Sequence, residues 1–403
     1  MMEKQISYTL KSKLKEDYNE ILQYLLDKDY TIQNLPSDLS AKKNQGETYT
    51  LAYPIQGILK YHGIVNEEHR ISYFPSISLN NDCSYTITYL KFDENLKEDL
   101  AFVNGKPTFG EVFERIKFSL SAIRRYSKIK TKAILISRNF LNTSEEGPMG
   151  KGLGTSASGS SALALAAISI IYNNDPLFLE NKRLLSIYSR YLSGSGCRSA
   201  SGGFALWLSY PDINSLDSFA IRLDRKEHRD FINNISLITI PIQSDLRTNQ
   251  VHKIAPKSPF FPAWLEQRKR LVFEFFEALN KHDLNKIGEL AEYDTMCLHS
   301  VTMTAQNKHN IIAWEPDTLK IMQKIHKLRI NDGYNVYYSI DTGPSLVLLT
   351  FENEKKEIIN ELKTFIPKYD VIEGKIGGSP MIVSPKSFEA KKLKSDIEKF
   401  NRF

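Results

Sequence analysis

The stretch that most constrains this chain is "KGLGTSASGSSALALAAISIIY", residues 151–172, where glycines and hydroxyl side chains run directly into an apolar helical segment. Small residues ahead of a helix leave backbone N–H groups and hydroxyls uncovered at the positive end of the helix dipole, a setting that suits phosphate oxygens. The Walker A pattern does not account for it: Gly150 and Lys151 are followed by Gly152, and Glu145 stands where the first glycine belongs. "GLGTSA" does fit GxGxxA. However, a polar stretch separates it from the preceding strand, and no second strand precedes the nearest acid, Asp175, so a dinucleotide fold is not expected. The plainer alternative is a flexible loop leading into a helix whose small residues serve packing alone. A second cluster, "SGSGCRSASGGFALW" at 193–207, sets Arg198 among glycines, where close backbone approach and a planar guanidinium together grip a phosphate or carboxylate.

Around these clusters the chain alternates. Leu10, Leu14, Tyr18, Ile21, Leu22 and Leu25 predict an amphipathic helix over 9–26, packed on the body as an extension. The runs "TYTLAYPIQGILKY", "SYTITYLKF" and "KAILISRNFL" predict strands, "TFGEVFERIKFSLSAIRRYS" and "NKRLLSIYSRYLS" helices, and 158–172 the helix after the Gly-rich loop. The charged stretch "RLDRKEHRDFINN" marks a domain boundary. The expected organisation is residues 1–47 as a helical extension, 48–230 as a first domain with the Gly-rich loop, and 231–403 as a second domain. That second half, with "AWLEQRKRLVFEFFEALNKH", "PDTLKIMQKIHKLR", "NVYYSIDTGPSLVLLTF" and "EKKEIINELKTF", reads as an α+β sandwich.

Composition narrows the function. The longest apolar run, 162–172, is too short to span a bilayer, and the charged N-terminus does not resemble a signal h-region, so a cytoplasmic protein without membrane partners is expected. Cys83, Cys197 and Cys297 are widely spaced and show no CxxC, which argues against a disulfide framework and a zinc site. The net charge of +6 is spread along the chain rather than blocked with aromatics; nucleic acid is not an expected partner, and a small anion is.

"GLGTSASGSSALALAA" and "SGSGCRSASGGFALW" resemble the two most characteristic motifs of the mevalonate diphosphate decarboxylase branch of the GHMP kinase superfamily. "AYPIQGILKYHG", "FPSISL", "KSPFFPAW", "DTMCLHSV" and "YYSIDTGPSLVLL" are similar to further motifs of that branch in the same order, over about residues 48–385. The resemblance implies an α+β fold of two domains, the first like the second domain of ribosomal protein S5 and the second ferredoxin-like, with the active site between them and homodimers common. It implies Asp341, Lys60 and Arg198 as catalytic residues. Tyr61, Ser195, Gly152, Gly154, Ser156 and Ser158 are implied to bind substrate or phosphate. His299 reads as a satisfied structural histidine.

Members of the branch phosphorylate the tertiary 3-hydroxyl of a mevalonate derivative with ATP, then eliminate that phosphate with carbon dioxide. Two departures bear on this. Where diphosphate-handling members have KYWGK, this chain has "KYHGI", with Ile64 in place of the second lysine and His62 in place of tryptophan. An apolar side chain cannot counter a terminal phosphate. Ahead of the Gly-rich loop, Glu145 and Glu146 would repel a polyphosphate unless a metal intervened. The expectation is therefore elimination and decarboxylation of a substrate already phosphorylated at C3, with no metal and no cofactor; ATP and magnesium belong to the alternative, an ATP-dependent decarboxylase or a 3-kinase. Two other classes stay open. "IDTGPS" resembles the aspartic protease DTG, although the chain offers no second DTG or DSG, and a non-catalytic binding protein could use the same scaffold.

Overall fold

The computed structural model describes residues 6–143, 152–245, 248–305 and 311–401, without the side chains of 248–250. Glu145 and Glu146 lie outside the described residues. The first half is built on two antiparallel-rich sheets. In the six-stranded sheet the order is Met381–Val383, Gly46–Ala52, Ser84–Asp93, Lys132–Leu141, Leu100–Val103 and Lys106–Pro107. Its centre is the ten-residue antiparallel pair running from Ser84 opposite Leu141 to Asp93 opposite Lys132. The second sheet orders Ala220–Arg222, Phe204–Trp207, Ser76–Asn80 and Ile55–Leu59.

The helix Thr155–Ile171 runs between the first sheet and the helix Lys182–Leu192. From Ala157 to Ile171 only Gly159 is not buried, so the small serines and alanines of this segment also let the helix be enclosed on all sides. Thr50 Oγ1 donates to the Ala162 carbonyl at 2.8 Å and ties the helix to the sheet.

In the second half, Val336–Ser339, Leu346–Phe351, Ile235–Ile240 and Ile372–Gly374 form a four-stranded antiparallel sheet. Alternating strand residues divide its faces: Ile238, Ile240, Leu346 and Leu348 pack with Ile321, Ile325, Ile358 and Leu362 of the helices Pro316–Ile330 and Lys355–Phe365. Leu237, Val347 and Leu349 face the other way and join the main core with Arg268–Asn280 and Leu284–Thr304.

The N-terminal helix is Tyr8–Asp27, its first turn capped by Ser7, whose side chain accepts from the Leu10 N–H at 3.1 Å. Leu10, Leu14, Tyr18, Ile21 and Leu25 are its buried face, each large side chain contributing about 1.5–3 kcal/mol. Tyr24 stacks on Phe276 at 4.8 Å between ring centroids, so the extension packs on the second half's helices.

Three features go beyond the sequence reading. Within the second glycine cluster, Gly196–Ser201 forms a short helix. The longest helix among the described residues, Leu284–Thr304, is marked in the sequence only by the fragment "DTMCLHSV". Met381–Val383, late in the chain, pairs with Gly46–Ala52, Tyr49 opposite Val383, and forms the edge of the first sheet.

Candidate active site

A cavity of about 650 Å³ opens between the two halves. Its lining includes Lys60, Tyr61, Gly152, Gly154, Ser156, Ser195, Arg198 and Asp341. Of the nine residues expected at the site, Ser158 is the exception. Its side chain is buried in the helix, with Oγ 2.6 Å from Thr86 Oγ1 and donating to the Thr155 carbonyl at 2.9 Å; two residues, about half a turn, further along than Ser156, it faces the sheet. Ser158 thus packs the helix against the sheet and does not line the cavity.

The strand Ile55–Leu59 fixes the cleft floor by cross-links to the second half. Gln56 Nε2 donates to Ser339 Oγ at 2.9 Å, and Ser339 Oγ donates to the Gly57 carbonyl at 2.5 Å. Two residues on, Asp341 accepts from the Gly57 N–H, at 3.2 Å to Oδ1 and 3.4 Å to Oδ2. A Cβ at Gly57 would meet Lys60 Cγ at 2.6 Å and Asp341 Oδ1 at 2.8 Å, so only glycine lets these side chains meet over the strand. Burial raises Asp341 above the usual carboxylate range, while Lys60, Arg198 and the Gly57 N–H pull it back. Burial likewise lowers Lys60, against the opposing pull of Asp294 and Asp341.

Lys60 is held from below. Its Nζ donates to the Ala291 carbonyl at 3.3 Å and its backbone N–H donates to Asp294, the carboxylate that also pairs with Arg268 and accepts from Trp264 Nε1 at 3.1 Å. Arg198 is 1% exposed, and its Nε and Nη1 have no acceptor among the described residues. The guanidinium carbon lies 5.4 Å from the centre of the Tyr61 ring. Buried N–H donors are almost always partnered, so a buried arginine that lines the cleft and holds two donors without an acceptor is suited to an anion.

On the other wall the Thr155–Ile171 helix starts at Gly154, with φ +65° and no side-chain cap. A Cβ there would lie 2.2 Å from the Ile55 carbonyl oxygen. The first-turn N–H groups thus open toward the cleft beside Ser156, whose Oγ is 3.4 Å from Ser193 Oγ, itself 3.1 Å from Ser195 Oγ. Gly152 lies against Gly343 of the turn that follows Asp341.

Sequence reasoning missed Arg70, Arg115, His252 and Asp294. The first three line the cavity. Arg70 sits in "NEEHRIS", which looks like solvated surface, and Arg115 and His252 carry no local signal; only the folded chain brings them together. Ile64, the residue that replaces a lysine, also lines the cavity, so charge absent there is supplied by Arg70 and Arg115. His299 is a buried histidine that hydrogen-bonds to the backbone of Ile340 and Asp341 on one side of its ring. It is buried against Trp314 at 4.5 Å between ring centroids, its Nε2 has no partner among the described residues, and burial followed by Lys60 pushes it down to about 3.

A second hollow of about 580 Å³ is lined by Asp245, Glu315, Asp317 and Asp370 against Lys368 and would repel phosphates. Among the described residues no group of three or more His, Cys, Asp or Glu side chains is placed to hold a metal, and no helix is long and apolar enough to cross a membrane.

This fold and cleft are those of a GHMP-kinase-type enzyme. Residues 52–220 match the diphosphomevalonate decarboxylase-like N-terminal domain and residues 258–401 the mevalonate 5-diphosphate decarboxylase C-terminal domain. The chain belongs to the mevalonate diphosphate decarboxylase family, whose members are carboxy-lyases. It is 29% identical to mevalonate 3,5-bisphosphate decarboxylase of Thermoplasma acidophilum over 336 residues, 81% of this chain and 77% of that one. It is also 29% identical to phosphomevalonate decarboxylase of Haloferax volcanii over 303 residues, 75% of this chain and 87% of that one. Among solved structures, mevalonate diphosphate decarboxylase from Enterococcus faecalis superposes with a TM-score of 0.73 at 26% identity, covering 84% of this chain and 99% of that one.

Proposed function

We propose that the chain removes phosphate and carbon dioxide from mevalonate 3,5-bisphosphate without ATP, giving isopentenyl phosphate. The observation that carries this reading is Arg198, a buried guanidinium in the lining of the cleft with two donors unpartnered among the described residues, where the cleft also presents Lys60, Asp341 and an uncapped helix N-terminus. Ile64 in the lining supports a phosphate monoester at C5 rather than a diphosphate. The name of the relative from Thermoplasma acidophilum agrees with it, while that of the relative from Haloferax volcanii, a phosphomevalonate decarboxylase, fits the second reading below.

The chemistry follows from charge. The bond from C3 to the phosphate oxygen breaks with its electron pair leaving on phosphate, and positive charge builds at the tertiary carbon. The C1–C2 bond then gives its pair to form the C2–C3 double bond, and C1 departs as carbon dioxide. Arg198, Lys60 and the N–H groups beside Gly154 stabilise the departing phosphate, while Asp341 faces the cationic carbon and holds Lys60 in place. Such preorganised donors are each worth about 10²–10³ in turnover.

A magnesium nucleotide would need oxygen ligands from the same lining. Its carboxylates are Glu111 and Asp341, and Asp341 is already engaged by Gly57, Lys60 and Arg198, so the described residues fit a phosphate better than a metal-bound polyphosphate. The uncapped helix N-terminus favours the second reading, an ATP-dependent decarboxylase, because it would equally accept a nucleotide phosphate.

The purified chain incubated with mevalonate 3,5-bisphosphate should release carbon dioxide and phosphate one to one, at the same rate with and without ATP and magnesium. Release that requires ATP, from 5-phosphomevalonate or the 5-diphosphate, would establish the second reading instead. Asp341→Asn should slow carbon dioxide release by about 10²-fold, and near-normal turnover would end the role given to Asp341.

A further inference from the structure

Beneath Tyr61 lies a pair of buried histidines that this mechanism does not use. His62 and His252 approach at 3.2 Å between their Nδ1 atoms, and His62 Nε2 is 3.0 Å from Thr302 Oγ1. The hydrogen-bond network assigns every proton in this chain of contacts. Thr302 Oγ1 has one hydrogen and donates it to the Leu298 carbonyl at 2.9 Å, an oxygen that can only accept. Thr302 therefore accepts from His62, whose proton sits on Nε2. His62 Nδ1 then carries a lone pair and accepts from His252 Nδ1–H. A neutral His252 with its proton on Nδ1 has a bare Nε2.

His252 lines the cavity, and its ring stacks on Tyr61 at 4.6 Å between centroids. The charged groups that reach it are Arg70 from the turn between the strands Ile64–Asn66 and Ile71–Ser72, Arg115 from the helix Gly110–Ser127, and Arg198 from the helix Gly196–Ser201. Its neutral neighbours are Tyr61 and His62, with His299 acting on His62. Burial and the three arginines hold His252 down to about 3 in the free protein. The carboxylates of the lining are Glu111 and Asp341, and neither is among the groups acting on His252. The cleft thus has one end with Asp341 and Lys60 and another with Arg70, Arg115 and His252, bridged by Arg198.

A bare imidazole nitrogen among three arginines is a contradiction that a phosphate monoester resolves. The arginines attract the anion, and Nε2 needs a proton on the axis toward it. We propose that His252, fixed in one tautomer by His62 and Thr302, receives the terminal phosphate of the substrate, and that the complex keeps one proton shared between Nε2 and a phosphate oxygen. The proton balance is the same whether the imidazole or the phosphate holds it: the free dianion and the neutral histidine together take one proton from solvent. His252 is then a specificity residue for a monoester end, and His62 is a positioning residue that acts through it. This inference rests on the proposed function for the identity of the phosphate.

The test uses isopentenyl phosphate, which has neither carboxylate nor leaving group, titrated calorimetrically into the whole chain at pH 8 in buffers of different ionisation enthalpy. Binding should take up about one proton per ligand, because phosphate monoesters lose their second proton near pH 6. His252→Gln removes the titrating group. His62→Phe frees His252 to donate from Nε2 without taking up a proton. Both should bring the uptake close to zero, and a merely structural role for His62 would leave the proton count of any residual binding unchanged. Binding without proton uptake by the unmodified chain, or the same uptake by both variants, would overturn the inference while leaving the decarboxylase reading intact. Proton-linked binding of this ester by a chain that does not turn over mevalonate 3,5-bisphosphate would support the inference and overturn that reading. Failure to bind any phosphate ester would end both.

Discussion

Arg198 and Arg268 are both about 1% exposed, both lie over aromatic rings, and do opposite things. Arg268 stands over Phe74 and Trp264, with its guanidinium carbon 4.3 and 5.1 Å from the ring centres, and pairs with Asp294, which passes the constraint on to the Lys60 backbone. Among the described residues its Nε and Nη2 also lack acceptors, but the residue does not line the cavity. Arg198 has no carboxylate partner among the described residues and lines the cavity. Burial alone therefore does not mark a functional arginine. The fold supplies the counter-charge to one arginine and leaves the other to be completed by a ligand.

Breaking the comparison on the Arg268 side should have the largest effect. Arg268→Leu leaves Asp294 buried without its cation and should cost about 3–5 kcal/mol in denaturant unfolding, with Lys60 losing its support. Arg198→Met should lower turnover by about 10²–10³ and leave unfolding stability unchanged or raised, since it removes an unpartnered buried charge. Equal stability losses in the two variants would erase the distinction.

Smaller per step is the response to acid. His252 and His299 are held down to about 3 by burial, against 6.5 for free imidazole. Between those values the unfolded chain binds protons that the folded chain does not. Their contribution to stability is therefore complete above pH 6.5 and is lost as pH falls toward 3, by up to about 1.4 kcal/mol per pH unit for each histidine. Unfolding midpoints measured from pH 7 to 4 should fall accordingly, and the fall should be shallower in His252→Gln. The smallest contrast is within one helix. Ser158→Ala should cost about 1 kcal/mol of stability and leave activity alone, while Ser156→Ala should weaken substrate binding and leave stability alone.

The sequence carried much of this because the site is built from short, local signals. Glycines at 152 and 154 have to precede a buried small-residue helix, and the turn after Ser339 has to present Asp341, whatever the rest of the chain does. The ten-residue strand Lys132–Leu141 was legible to the residue because its apolar run has clear ends. What stayed hidden depended on distance along the chain. Arg115 reaches the cleft from the outer helix of the first half, and His252 from a segment some 190 positions after His62. Asp294 is read as functional only once Lys60, 234 positions away, is seen to lean on it. Ser158 falls away from the cavity for the converse reason, since the motif looks uniform in sequence while the helical period turns Ser156 and Ser158 to opposite faces.

The most direct test of the account is a crystal structure of the chain with a phosphorylated mevalonate bound. The account predicts a phosphate oxygen at about 2.7–2.9 Å from Arg198 Nε or Nη1, with Lys60 and Asp341 on either side of C3. A ligand seated elsewhere, with those two N–H groups still unpartnered, would contradict it.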